Sequence, residues 1–132
     1  KDPTLPPLDQ NACTFFNRIA YDTGYGGLAF EDEGARCASY LTDPKVKVLV
    51  LGNHGIMVVG DTVAETFNRL YYFERAATLY INALKTGQEL AILSDEIAEK
   101  TAQEMEVYPE QGDGFMKEMK AILDEEGSDY AK

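Results

Sequence analysis

Two short apolar runs joined by a polar corner constrain the fold of this chain more than any other feature. Residues 46–51 and 56–59 are rich in valine, leucine and isoleucine, and Asn53-His54-Gly55 separates them. Runs of this kind bounded by turn residues predict the two strands of a hairpin. Because the runs are almost continuously apolar, we expect both faces of the strands to be covered, as in a sheet with helices packed against it.

The longest predicted helix, over residues 62–85, follows this hairpin. Thr62 and Glu65 have the spacing of a capping box, and Thr86-Gly87 provides a stop signal. An apolar stripe repeats at helical intervals along it. The stripe consists of Val63, Phe67, Leu70, Ala77, Ile81 and Leu84, and it is widened by Tyr71, Phe73, Leu79 and Tyr80. We therefore expect this helix to pack on more than one side, against its own sheet and a neighbouring subunit.

Glu74 falls in the middle of that apolar stripe. An ionised carboxylate is costly to bury without a partner, so Glu74 is predicted to be buried and paired. The partner could be an internal ion pair or a helix-to-loop hydrogen bond. The alternative is that Glu74 accepts a hydrogen bond from a metal ligand or a nearby loop and so orients it.

Shorter elements are predicted on either side of the hairpin and long helix. They are a short helix capped by Asp9 that carries Cys13, Phe16 and Asn17, a strand over residues 18–21, a helix over 31–41, a helix from Ser94 to residue 105 that Pro109 and Gly112 end, and a helix over 115–123. This order predicts one domain, as the length of 132 residues also does.

Charge and cysteine usage limit the classes of partner. A net charge of −11 and a pI near 4.4 argue against nucleic acid and against anionic membrane surfaces. Neither a membrane-spanning run nor a signal peptide is evident. Cys13 and Cys37 match no metal or redox spacing and are expected to be buried thiols, so a cytoplasmic location is predicted. The start at Lys1-Asp2-Pro3 suggests a fragment.

His54 is the only histidine in the chain and the first candidate for chemistry. Imidazole nitrogen suits zinc and similar metals, and a turn places it where a ligand can reach. The alternative is a turn histidine that hydrogen-bonds the local backbone. Because catalytic zinc usually has three protein ligands, the partners of His54 in a metal site would have to come from outside this sequence.

Two tyrosines are the candidate catalytic residues. Tyr25 lies in a glycine-rich loop and Tyr130 on the C-terminal tail. The plain alternatives are a packed loop aromatic for Tyr25 and a fraying terminus for Tyr130. The glycines around Tyr25 do not form a phosphate-binding loop, because the required lysine and helix start are missing.

Several segments together resemble the C-terminal half of the class II aldolase/adducin family. They are Leu8-Asp9-Gln10-Asn11, Phe16-Asn17-Arg18, Tyr25-Gly26-Gly27-Leu28-Ala29, Glu33-Gly34-Ala35-Arg36, the hairpin over residues 48–63, and Leu70-Tyr71-Tyr72-Phe73-Glu74-Arg75-Ala76-Ala77. The resemblance implies an α/β fold, a three-layer α/β/α domain with a mainly antiparallel sheet. The chain, residues 1–132, would be one partial domain that lacks the family's N-terminal portion.

The resemblance also implies a function. Enzymes of this family hold a divalent metal, usually zinc, with a His-x-His pair and a third histidine that His54 matches. The implied reaction is aldol cleavage, or a related decarboxylation, of a small oxygenated carbonyl compound by a homo-oligomer, usually a tetramer. The histidine pair has no counterpart in this chain, so enzyme activity would require the missing half. The alternative is an adducin-like interaction domain without catalysis.

Overall fold

Eight helices and strands follow one another in the computed structural model, which describes residues 4–25, 27, 30–108 and 111–132. In chain order they are α1 (Gln10–Thr14), β1 (Ile19–Asp22), α2 (Phe30–Tyr40), β2 (Val48–Leu51), β3 (Gly55–Val58), α3 (Val63–Lys85), α4 (Asp95–Glu106) and α5 (Gln111–Glu125). Helices precede, separate and follow the strands, so the predicted α/β class is confirmed.

The hairpin forms as predicted, and β2 is the central strand of the described sheet. β2 pairs antiparallel with β3, with Leu51 opposite Gly55, and parallel with β1, with Val48 beside Ile19. The parallel pairing arises because α2 carries the chain back across the sheet between β1 and β2. The described sheet is therefore small and mixed, with its antiparallel pairing confined to the hairpin.

One face of the sheet packs against α3 and against Phe15, the residue that follows α1. Val48, Phe15 and Phe73 are buried at the centre of this layer, and the rings of Phe15 and Phe73 meet edge to face with centroids 5.3 Å apart. Partly buried apolar residues from all three strands surround them. Burial of these side chains away from water is the main stabilising contribution to this layer.

The opposite face is covered by α2. Successive residues of a strand point to opposite faces, so Leu49, which is fully buried, points away from Val48. Asp22 lies on the same face as Leu49, and Arg36 of α2 donates a hydrogen bond to it. Helices therefore cover both faces of the sheet, which confirms the three-layer arrangement.

Helix α3 begins as its capping signals predict. The Thr62 side chain accepts a hydrogen bond from the Glu65 N–H at 3.1 Å, and the Glu65 carboxylate accepts one from the Asp61 N–H. Its buried residues are Phe73 and Ala76, however, and not the predicted stripe. Periodicity alone does not distinguish the two faces, because both are apolar.

The predicted stripe of α3 instead remains largely uncovered in this chain. Val63, Ile81 and Leu84 are exposed, and part of the stripe contacts α5, where the Phe67 and Tyr71 rings lie against Phe115. The expectation that α3 packs on more than one side is thus met by α5 over part of its length. A neighbouring subunit stays a prediction.

Glu74 is exposed, and the expectation that it is buried and paired is wrong for this chain. Residue 74 is rotated about 100° around the helix from the buried Phe73, which turns its side chain out of the layer beneath. Within the described residues, Glu74 forms no hydrogen bond or ion pair.

Helices α1 and α5 differ in length from their predictions. α1 ends at Thr14, so Phe16 and Asn17 lie outside it, and Asn17 adopts a left-handed conformation with φ of 57°. Gly112 lies within α5 and does not end a helix. A side chain at residue 112 would come within 2.9 Å of the Glu65 backbone nitrogen, so glycine allows α5 to approach the start of α3. Pro109 lies outside the described residues.

A buried arginine joins α4 to the start of β1. The Arg18 side chain is 1% exposed. Its Nη1 donates to Glu99 at 2.6 Å and to the Phe16 carbonyl at 2.9 Å, and its Nε donates to Glu106 at 3.0 Å. This ion-pair cluster fixes the position of α4 against the segment between α1 and β1.

Candidate functional site

The tip of the β2–β3 hairpin presents His54 to solvent. Asn53 adopts φ of 59°, a left-handed conformation that asparagine tolerates better than most residues. The His54 N–H donates to the Leu51 carbonyl at 3.1 Å and closes the turn. The His54 side chain is 43% exposed, so its ring is accessible while its backbone is held by two paired strands.

Two other elements bring side chains to this tip. His54 Nδ1 lies 3.2 Å from Oε1 of Glu33 on α2. The Tyr25 ring, in the loop that follows β1, lies with its centroid 6.1 Å from that of His54. We call Tyr25, Glu33 and His54 the hairpin-tip cluster.

The cluster is connected to the end of β1 through Arg36. Arg36 Nε donates to Asp22 Oδ2 at 2.8 Å, and Arg36 Nη2 lies 3.9 Å from Glu33 Oε1. Asp22 is 4% exposed and also accepts from the Gly24 N–H at 2.9 Å. The Gly24 N–H, and then Arg36, hold the pKa of Asp22 below its usual range despite the opposing effect of burial.

The arrangement at His54 is one that suits a metal ligand. Histidines that bind metals usually direct their second ring nitrogen to a carboxylate or carbonyl, which sets the orientation of the ring. Here the Glu33 carboxylate lies 3.2 Å from Nδ1, and no described residue hydrogen-bonds Nε2. Over the described ranges, no three or more His, Cys, Asp or Glu side chains are grouped as a metal site would require. The described chain thus contributes one oriented imidazole and not a complete site.

The structure brings only one of the two predicted tyrosines to His54. Tyr25 is exposed beside it. The Tyr130 hydroxyl instead donates to Asp124 of α5 at 3.1 Å, and burial, followed by Asp124, raises the pKa of Tyr130. Asp124 borders a recess shared with Thr62 and Val63. Because β3 runs from the tip toward Thr62, Tyr130 lies at the other end of the hairpin from His54.

The roles assigned to these residues from sequence stay predictions. Tyr25 is positioned to act with His54, whereas Tyr130 and Glu74 form no contact with it among the described residues. Glu33 was missed as a site residue. Its spacing from Arg36 indicates an ion pair along one helix face, but nothing in the sequence indicates that α2 meets the hairpin tip.

A partly enclosed cavity lies away from this cluster. It has a volume of about 270 Å³ and is lined by Arg18, Lys47, Arg69 and Glu106, among others. Lys47 precedes β2 and His54 follows it, so the cavity and the hairpin tip lie at opposite ends of the strand.

Among the helices that the structure describes, none combines the length and the apolar character that a membrane span requires.

Comparison with known proteins gives relatives of two kinds, which are named as adducins and as enzymes. Human beta-adducin is 30% identical over 94 residues, which are 70% of this chain and 13% of that protein. Decarboxylase NovR of Streptomyces niveus is 40% identical over 60 residues, which are 45% of this chain and 22% of that protein. The chain therefore spans only a small part of the length of these relatives.

The fold is shared with a solved structure and the sequence with a family. The crystal structure of an aldolase II superfamily protein from Pseudomonas syringae superposes with a TM-score of 0.76 and 28% identity, covering 95% of this chain and 49% of that one. Residues 1–81 match the family described as Class II Aldolase and Adducin N-terminal domain. The chain belongs to the class II aldolase and adducin family.

Proposed function

We propose that this chain is part of a divalent-metal-dependent, aldolase-like lyase in which His54 binds the metal. The observation that carries the proposal is the position of His54, exposed at a rigid hairpin tip with the Glu33 carboxylate 3.2 Å behind Nδ1. A histidine that only stabilised its own turn would need no such partner. The same pairing is common around metal-ligating imidazoles.

The remaining ligands have to come from outside the described residues. His54 is the only histidine of the chain, and a single imidazole binds a metal weakly. We propose that a His-x-His pair from another segment completes the site around zinc, the metal that nitrogen ligands of this kind suit. A bound divalent metal would polarise a carbonyl or hydroxyl group of the substrate.

The residues of this chain would bind the metal and orient the groups around it. His54 would hold the metal through Nε2, and Glu33 would keep the imidazole ring in place. Tyr25 is exposed next to His54, and its hydroxyl could exchange a proton with a substrate bound there. The proposed substrate is a small oxygenated carbonyl compound, and the reaction is aldol cleavage or a related decarboxylation, which the name of the Streptomyces niveus relative supports.

The proposed assembly is a homo-oligomer, a tetramer by family resemblance. Val63, Leu70, Ile81 and Leu84 on α3 are exposed in the single chain. Large exposed apolar patches are uncommon on monomers and mark contact surfaces. A Tyr130 or Glu74 contribution to catalysis would then have to come from another copy of the chain, since neither contacts His54 within one copy.

Zinc binding tests the proposal. The 132-residue chain should bind zinc weakly in isothermal titration calorimetry, and His54→Ala should remove that binding. Adding a segment that carries a His-x-His pair should produce tight binding and lyase turnover, both dependent on His54. Tight stoichiometric zinc binding by the chain alone, unchanged in His54→Ala, would overturn the assignment.

An adducin-like interaction domain is the second candidate function. The 94-residue match to human beta-adducin favours it, since a fold can be kept for binding after chemistry is lost. A monodisperse chain that gains neither metal binding nor turnover from the added segment would support this alternative.

A further inference from the structure

Glu33 lies between the side chains of His54 and Arg36 at the hairpin tip. Its Oε1 is 3.2 Å from His54 Nδ1 and 3.9 Å from Arg36 Nη2. An ionised carboxylate can only accept hydrogen bonds. At this distance the negative charge favours a proton over a lone pair on the ring nitrogen that faces Glu33.

We infer that Glu33 is a positioning residue that sets the tautomer of His54. With the proton of the neutral ring on Nδ1, the lone pair is on Nε2, which forms no hydrogen bond with a described residue. Without Glu33, the proton could occupy either ring nitrogen. Glu33 thus prepares His54 as an acceptor at the exposed end of the ring before any ligand arrives.

The position of Glu33 is itself fixed by the sheet. Arg36 follows it by one helical turn and donates to Asp22 at 2.8 Å. Asp22 is buried at the end of β1 and is held by the Gly24 N–H. The order Asp22, Arg36, Glu33, His54 forms a continuous polar chain from the end of one strand to the tip of the hairpin. Ordering the carboxylate in this way lowers the entropy that it loses when it holds the ring.

The contact between Glu33 and His54 does not depend on the proposed function, but the use of Nε2 as a metal ligand rests on that proposed function. The two parts predict different measurements. The tautomer of His54 reports on Glu33 alone, and the response of Nε2 to zinc reports on the metal site. The chain suits this separation, because one histidine gives one set of imidazole signals.

Long-range ¹H–¹⁵N NMR of the full chain tests the first part. At a pH where the ring is neutral, the wild type should show the proton on Nδ1. Glu33→Ala should shift the population toward the Nε2–H tautomer, whereas Glu33→Gln, which keeps an acceptor oxygen, should largely retain Nδ1–H. Asp32→Ala is the matched control, because Asp32 precedes Glu33 on the same helix and is exposed. Backbone amide spectra establish that each variant is folded.

Zinc titration followed at Nε2 tests the second part. Loss of the orienting carboxylate should weaken zinc binding by about 10–100-fold in Glu33→Ala, with no change in Asp32→Ala. A wild-type Nε2–H tautomer, or a tautomer unaltered in Glu33→Ala, would overturn the inference. The expected tautomers combined with an Nε2 signal that zinc does not move would uphold the role of Glu33 and contradict the proposed metal site.

Discussion

Replacing Arg18 by methionine should be one of the most destabilising single substitutions in this chain. The guanidinium is 1% exposed and donates four hydrogen bonds, to Glu99, twice to Glu106, and to the Phe16 carbonyl. Methionine replaces the apolar stem, but it removes the buried cation from between the two carboxylates and leaves Glu99 with the exposed Lys45 at 3.6 Å. Removing one partner of a buried pair costs about 3–5 kcal/mol.

The partly exposed carboxylates place Arg18→Met at the lower end of that range. Glu99 and Glu106 are 24% and 39% exposed, so each regains some water when the cation is lost. We therefore expect a decrease of about 3 kcal/mol in the free energy of unfolding. For a domain of this size that corresponds to a decrease of roughly 10–15 °C in Tm.

Urea denaturation and thermal melts monitored by circular dichroism measure this effect. Lys100→Met is the matched control, because Lys100 lies 3.8 Å from Glu104 in an ion pair whose side chains are 74% and 67% exposed. That change should cost less than about 0.5 kcal/mol. If Arg18→Met cost no more than the control, the ion-pair cluster would not be what holds α4 in place.

Three further substitutions test other features of the structure. Arg18 lowers the pKa of Glu99 to about 2 from 4.5, so the ionised carboxylate stabilises the fold at neutral pH and loses that effect as the pH falls from about 4.5 toward 2. Glu99→Gln should therefore flatten the decrease of Tm over this pH interval, and an unchanged slope would contradict the pairing. Glu74→Ala should change stability by no more than about 0.5 kcal/mol because the residue is exposed, and a much larger loss in chemical denaturation would indicate that it is buried in an assembly. Ile81→Lys, on the exposed stripe of α3, should reduce self-association in sedimentation velocity without lowering Tm, whereas a wild type that is already monomeric would rule out that interface.

Local signals in the sequence were enough for the hairpin and the long helix. Asn53-His54-Gly55 between two β-branched runs specifies a turn, and Thr62 with Glu65 specifies a helix start, so both elements lie where they were predicted. These signals act between residues close in the chain. They depend little on how the rest of the molecule packs.

Features that depend on packing between distant elements could not be predicted in the same way. Both faces of α3 are apolar, so the pattern did not reveal that Phe73 faces the sheet and Glu74 faces solvent. The role of Gly112 depends on the approach of α5 to α3. Glu33 joins the candidate site only because α2 crosses the sheet toward the hairpin tip. His54 and Tyr25 are predicted as site residues from the sequence, since one is a lone imidazole in a turn and the other lies in a glycine loop, and their roles stay predictions.

The left-handed conformations of Asn17 and Asn53 have a consequence for redesign of the surface. They are the two described residues other than glycine with positive φ, and both are exposed. One immediately precedes Arg18 and the other His54, so each backbone reversal sets the direction in which the next side chain leaves the chain. If solvent exposure were the only criterion for choosing positions to mutate, both asparagines would be treated as freely replaceable. A β-branched residue at either position would instead redirect a buried cation or the exposed imidazole without touching it.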